Sequence, residues 1–260
     1  MNRFEMHLLT REDISDMAAR GYAVVVPLAA TEQHGPHLPV YTDALIVEHI
    51  ARQAGERAAS QVPLLVAPVL PVGCSQHHLS FGGTLSFTSA TYLSVLRDLG
   101  ESLVADGFRK IIFLNGHGGN DPVMLQTAND LAVRHPVWTA AASYWSVARE
   151  ALRGIRADEA GIVPGHAGHF ETSVIMALRP ELVRSDRIVR QHERRSWIGS
   201  GPPGAFIGKH GELTGGDGFT DAAAASTAEN GRKYLEVIVE NVAQWLVRTV
   251  KTMEQGDRER

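Results

Sequence analysis

The chain has 260 residues, 44% of them apolar and 21% charged, a balance that supports a full hydrophobic core in a globular protein. Its net charge of −4, with no basic block, argues against nucleic acid as a partner, because phosphate neutralisation needs clustered Lys and Arg. A single cysteine, Cys74, rules out an internal disulfide framework and a thiolate-only metal site. Met1 to Met6 carries no signal-peptide core and no segment has the uninterrupted apolar length of a membrane span, so the expectation is a cytoplasmic protein with no membrane partner.

In chain order, Tyr22–Leu28 is a β-branched run that reads as a buried strand, and Asp43 to Ala59 has the three-and-four spacing of a helix. Leu64 to Leu70 again reads as a strand. Thr91 to Ala105 is an amphipathic helix closed by Asp106-Gly107. Lys110–Leu114 is a third strand, Pro122–Val133 a helix and Val137–Ala142 a fourth strand. Ile155 to Ala167 is loop-rich, Phe170 to Leu178 is helical and Pro180 stops it. Residues 189 to 221, rich in Gly and polar groups, read as a surface excursion or flap. A closing helix is expected from Ala223 to Lys251, covering one sheet face, with a frayed charged tail from Glu254. Alternating strands and helices predict an α/β fold, a mostly parallel sheet with helices on both faces, and one domain over residues 1–260.

Chemistry concentrates in the loops after the strands. The first, Thr31 to Pro39 followed by Asp43, holds Glu32, His34 and His37 and cannot be helical through Pro36 and Pro39. The second runs from Gly73 through Cys74, Ser75, Gln76, His77 and His78 to Gly83. The third is Asn115-Gly116-His117-Gly118-Gly119-Asn120-Asp121, and a fourth segment, His166 to Ser173, adds His169 and Glu171. Seven of the twelve histidines fall in these four segments, a clustering that chance scatter does not favour. Loops at the carboxyl ends of parallel strands converge on one crevice, which would gather Glu32, His34, Asp43, His78 and His117. Charged and lone-pair-bearing groups cannot be collected in a dry crevice uncompensated, and a divalent cation with mixed N and O ligands compensates them. It also lowers the pKa of water from about 15.7 toward about 7.

Each element has a plainer reading: a loop His as a surface residue, Asn115-Gly116 as a turn, Gly118-Gly119-Asn120 as a phosphate nest, Glu171 as a first-turn acid. The nest lacks a following P-loop lysine. Gly199 to Gly204 fits Gly-x-Gly-x-x-Gly but holds two prolines and follows no strand, so no dinucleotide cofactor is expected. His77 and His78 point opposite ways if extended, which leaves one of them for the site.

Glu32-Gln33-His34-Gly35-Pro36-His37-Leu38-Pro39 with Asp43, the Asn115–Asn120 loop, and His166-Ala167-Gly168 with Glu171-Thr172-Ser173 together resemble the creatininase family of metal-dependent amidohydrolases. The resemblance runs from about Leu8 to about Leu178, with Gly216-Asp217 and Ala228 to Arg232 similar to the family's closing pattern. It implies a three-layer α/β/α sandwich and one or two divalent ions, zinc, manganese or iron. The implied ligands are Glu32, His34, Asp43 and His117, with Asp43 bridging if two ions bind. His166 is implied as the proton donor to the leaving nitrogen, and the assembly as a homo-oligomer, a hexamer by resemblance. The implied reaction is hydrolysis of a non-peptide C–N bond in a small molecule such as a cyclic amide or formamide. Family members that cleave a peptide precursor or a cyclic sugar ketone are alternatives, as is a non-catalytic metal-binding protein.

Two positions depart from the pattern. Creatininase carries Glu where this chain has Gly119, which points to Glu171 as the replacement carboxylate, a ligand and part of the catalytic set, and away from creatinine as substrate. Gly82 stands where many members have Pro, which should loosen the loop near His78. His78, Ser75 and Gly118 are the expected substrate contacts, and Tyr144, Trp145 and Trp197 are candidates to line the pocket.

Overall fold

The computed structural model describes residues 4–190, 202, 207–209 and 218–259. Four strands form one parallel sheet: β1 (Ala23–Leu28), β2 (Leu64–Val66), β3 (Lys110–Asn115) and β4 (Trp138–Ser143), in the order β2-β1-β3-β4. The helices are α1 (Arg11–Ala19), α2 (Thr42–Ala59), α3 (Ser89–Ala105), α4 (Asp121–Arg134), α5 (Tyr144–Val147), α6 (Arg149–Gly154), α7 (His169–Leu178) and α8 (Ala228–Arg258).

Strand side chains alternate between two cores, because successive residues face opposite sides of a pleated sheet. Ala23, Val25, Leu64, Val66, Ile112 and Leu114 pack with α2, α7 and α8. Val24, Val26, Leu28, Leu65, Ile111 and Phe113 pack with α3 and α4. The result is the expected three-layer α/β/α sandwich, and strands buried on both faces explain why their sequences are apolar throughout. The chain leaves β1 for β2 on one side and β3 for β4 on the other. The crevice at the carboxyl ends of β1 and β3 is therefore a switch point, where open parallel sheets place their sites.

The sequence-based elements hold with instructive exceptions. β2 stops at Val66 rather than Leu70, because Pro68 has no N–H for the ladder; pairing resumes only as a bridge between Leu28 and Leu70. Helix α1 is not among the expected elements, although Thr10 and Asp13 close a reciprocal capping box at its start. The final helix begins at Ala228, capped by the Thr227 hydroxyl that accepts from the Asn230 N–H. It continues to Arg258, so the tail expected to fray is helical. Asp257 accepts a 2.7 Å hydrogen bond from the Trp138 indole, and Gly256 sits against that ring, which docks the last turns on β4. Most of the 189–221 excursion, including the Gly199–Gly204 match, Trp197 and Gly216-Asp217, lies outside the described residues. Among the described residues no helix is long and apolar enough to cross a membrane.

One close approach sets how α8 meets α7: a Cβ at Gly231 would overlap the Ser173 carbonyl oxygen and crowd the Ala177 methyl. Gly-to-Ala in a free helix interior gains about 1 kcal/mol. Here Gly231→Ala is expected to cost about 1–3 kcal/mol by forcing the helices apart. A urea midpoint that rises instead would show that the contact yields freely.

Candidate metal centre

The loops at the sheet's carboxyl edge are fastened to one another by asparagines. Asn120 accepts from the Cys74 N–H at 2.9 Å and donates to the Ala29 carbonyl at 3.1 Å, joining the loops that follow β1, β2 and β3. Asn115 holds both ends of the turn to His117, accepting from its N–H at 3.1 Å and donating to its carbonyl at 2.6 Å. The Glu32 loop closes on itself through Glu32 N–H to the Val40 carbonyl, and Thr84 Oγ1 accepts from the Gln33 N–H. Asp43 is presented by the first turn of α2 and Glu171 by the first turn of α7. From sequence Asn115 reads as a turn residue and Asn120 as part of a phosphate nest; their adjacency to glycine is the available signal.

These attachments bring together Glu32, His34, Asp43, His117, His166, Glu171 and His78, all buried. Asp43 is central. Its Oδ1 lies 3.1 Å from His34 Nε2 and its Oδ2 3.2 Å from His117 Nδ1. Glu171 Oε2 lies 3.7 Å from His34 Nε2. Glu32 Oε1 lies 3.2 Å from His117 Nδ1, 3.5 Å from His166 Nδ1 and 3.6 Å from His78 Nε2. Three sets of ligand atoms converge closely enough to share an ion: His34 with Asp43 and Glu171; Glu32 with His34 and His166; and Glu32 with His77 and His117.

The outer ring nitrogens decide what the inner ones offer. His34 Nδ1 lies 3.1 Å from the Glu32 carbonyl, His117 Nε2 3.0 Å from the Cys74 carbonyl and His166 Nε2 2.9 Å from the Gln33 carbonyl. A carbonyl only accepts, so all three outer nitrogens carry the proton. In the neutral rings, His34 Nε2, His117 Nδ1 and His166 Nδ1 are lone pairs aimed at carboxylates. Both oxygens of Glu32 and Oδ2 of Asp43 are buried with no hydrogen-bond partner among the described residues. Lone pairs facing carboxylates repel unless a positive charge lies between them, and the outward N–H to a carbonyl is how proteins orient metal-binding imidazoles. The donor set, imidazole nitrogens with carboxylate oxygens, fits a divalent cation.

Protons can supply that charge instead. Burial opposes ionisation of His34 and His117, but the carboxylates win: Asp43 and Glu171 raise His34 well above the ordinary imidazole value, and Glu32 and Asp43 do the same for His117. Burial likewise works against ionised Glu32, yet His117 beside it holds its carboxyl well below the usual range. Glu171 is raised by burial, with His34 acting against it. His166 is pushed well below the ordinary value by burial and by His34, which keeps its Nδ1 lone pair available.

The remaining candidates sort by contact. His78 faces the centre, and so does His77, whose ring stacks at 5.9 Å on His117. The expectation that only one would do so assumes an extended chain. Gln76–Phe81 is a 3-10 turn, in which neighbours are about 120° apart and both can reach one cleft. Ser75 lies behind the site: its hydroxyl is 3.4 Å from His117 Nε2, the nitrogen turned away from the carboxylates. Gly118 is exposed, and a Cβ there would meet nothing within 4 Å. Gly82 has φ +78°, a backbone conformation closed to proline, so the departure from Pro redirects this loop. At Gly119 a Cβ would overlap the Cys74 carbonyl oxygen, leaving no room for a carboxylate there, while Glu171 reaches His34 from the other side. Tyr144 is buried and close enough to Glu171 and Asp43 to feel their charge; Trp145 lines a separate 240 Å³ surface cavity with Arg149 and Arg153.

The last residues of the excursion grip the His166 loop, a contact that residue spacing does not foretell. The His166 N–H donates to Thr220 Oγ1 at 2.7 Å and the Thr220 N–H returns to the His166 carbonyl at 2.9 Å. Asp221 accepts from the N–H of His169 at the start of α7, the helix that carries Glu171. Ala167, between them, has a positive φ of 51°, strain of about 1–3 kcal/mol that this framework holds in place.

Sandwich and centre together define a hydrolase-type α/β protein with its carboxylates and imidazoles at the strands' carboxyl ends. The family model described as creatinine amidohydrolase matches residues 7–246. Among curated relatives, a mycofactocin precursor peptide peptidase from Mycobacterium tuberculosis is 30% identical over 257 residues, covering 89% of each chain. A creatinine amidohydrolase from Pseudomonas putida is 28% identical over 255 residues, covering 92% of this chain and 94% of that one. A solved structure titled "Creatininase Mn" superposes with a TM-score of 0.78 at 27% identity, over 93% of this chain and 96% of that one. The chain belongs to the creatininase family and is a hydrolase.

Because His34 and His117 are raised, both carry an extra proton at neutral pH when no cation is bound, and a metal must displace it. Zinc binding is therefore expected to release protons near pH 7 and to weaken as pH falls. Calorimetry in buffers of different ionisation enthalpy measures this, and His117→Ala should release fewer. Proton-neutral binding would contradict the geometry.

Proposed function

We propose that the protein is a metal-dependent amidohydrolase that cleaves a C–N bond in a small cyclic amide or formamide. The observation that carries this reading is the set of three imidazoles locked with their lone pairs turned onto partnerless buried carboxylates. Glu32, His34, Asp43, His117 and Glu171 would hold the ion or ions. A divalent cation there supplies Lewis-acid polarisation of a carbonyl and hydroxide at neutral pH.

The chain's own groups do the rest. His166 Nδ1, neutral and unprotonated, accepts the proton of the attacking water; the same atom then gives it to the departing nitrogen as the C–N bond breaks. Its outer N–H to the Gln33 carbonyl and its clasp by Thr220 keep the ring aimed. Closing of the loops around buried Glu32 and Asp43 keeps bulk water from screening the centre.

Full-length similarity to a peptide peptidase supports a second reading, in which the C–N bond lies in a peptide. The Gly119 departure favours neither over the other but argues against creatinine itself. A screen over cyclic amides, formamides and short peptides with zinc-, manganese- and iron-loaded protein separates them. Asp43→Ala is expected to lose bound metal and activity together, by at least about 100-fold in rate. Full hydrolysis after exhaustive metal stripping would sink the proposal.

A further inference from the structure

One imidazole at the centre is wired in the opposite sense. Gln33 has its amide oxygen fixed by the Gly35 N–H at 2.9 Å, so its Nε2 is the donor side. That nitrogen has two hydrogens and three close neighbours: the Gly218 carbonyl at 2.6 Å, His78 Nδ1 at 2.8 Å and His166 Nε2 at 3.0 Å. The Gly218 carbonyl can only accept and takes one hydrogen. His166 Nε2 already carries its own proton, donated to the Gln33 backbone carbonyl, and cannot accept another. The second hydrogen goes to His78 Nδ1. A ring that accepts at Nδ1 exists only as the neutral form protonated at Nε2.

His78 Nε2 is buried and has no hydrogen-bond partner among the described residues. Glu32 Oε1 is 3.6 Å away, too far for a hydrogen bond. The centre thus holds three inward lone pairs and one inward N–H with nothing to donate to. A lone-pair nitrogen suits a cation; a buried free donor suits an oxygen that gains negative charge.

We infer that His78 is not a metal ligand but the N–H donor for the carbonyl oxygen of the substrate, and that Gln33 is the positioning residue that sets its tautomer. This deepens the amidohydrolase reading and rests on it for the identity of the oxygen. Gln33 also ties this donor to Gly218, whose carbonyl takes the other hydrogen of the amide.

The test uses zinc-loaded full-length protein labelled with 15N at histidine. Long-range proton–nitrogen spectra, with His78→Ala to assign the signals, are expected to show the proton of His78 on Nε2, and those of His117 and His166 on Nε2 with neither Nδ1 protonated. His78→Ala should keep the full zinc complement, while weakening the binding of acetate, a simple carboxylate probe for the product, by about tenfold or more. Gln33→Glu, which accepts rather than donates, should move the His78 proton to Nδ1 with zinc retained. If His78→Ala sheds a zinc equivalent, or the wild-type ring is protonated at Nδ1, the inference is overturned. Should either variant fail to fold, the wild-type spectrum alone decides the tautomer. If no amide is hydrolysed while the proton sits on Nε2 and acetate binding depends on His78, the amidohydrolase reading fails and the donor assignment stands.

Discussion

Three backbone carbonyls, those of Glu32, Gln33 and Cys74, take the outward N–H groups of His34, His166 and His117. Two of them belong to the same loop that supplies Glu32 and His34, so the segment that contributes ligands also fixes how its neighbours present theirs. Once those bonds form, the inward nitrogens have no choice of hydrogen-bond partner, and each is turned on a carboxylate. Buried ionised groups survive only with compensation, and among the described residues no hydrogen bond reaches either oxygen of Glu32, so a proton on His117 or a cation must supply it. The demand for a cation is therefore built into loop geometry rather than into any one ligand.

The rest of the structure serves to keep those carbonyls where they are. The switch point between β1 and β3 places two of the loops side by side, and Asn120 pins the third to both. Helices α2 and α7 enter the centre by their first turns, so Asp43 and Glu171 come from rigid elements packed in the same core. Thr220 and Asp221 close the arrangement from the far end of the chain. Position 119 has no space for a side chain, and Glu171 places a carboxylate oxygen 3.7 Å from His34 Nε2.

Much of this is legible in the residues. Apolar runs at 22–28 and 110–114 mark the central strands, and the convergence of the Glu32, His78 and His117 loops follows from parallel topology. What periodicity does not supply is local. Adjacent His77 and His78 diverge if given the period of a strand, and a 3-10 turn brings both inward. That the Ser75 hydroxyl lies against His117 Nε2 depends on how two loops meet, which residue spacing does not carry. The roles of Asn115, Asn120 and Gln33 depend on which atom donates to which, information that residue spacing does not carry. The tail beyond Glu254 reads as frayed because its charges dominate its composition; one indole N–H to Asp257 and a glycine against a ring hold it.

Whether a cation sits where these atoms converge can be seen by anomalous scattering from crystals grown with manganese or zinc. The expected map has density beside Asp43, within bonding distance of His34 Nε2, of His117 Nδ1 or, with two ions, of each in turn, and His78 lies outside the coordination sphere. Ions bound elsewhere, or a His117 ring turned so that Nε2 meets the metal and the Cys74 carbonyl loses its donor, would contradict it.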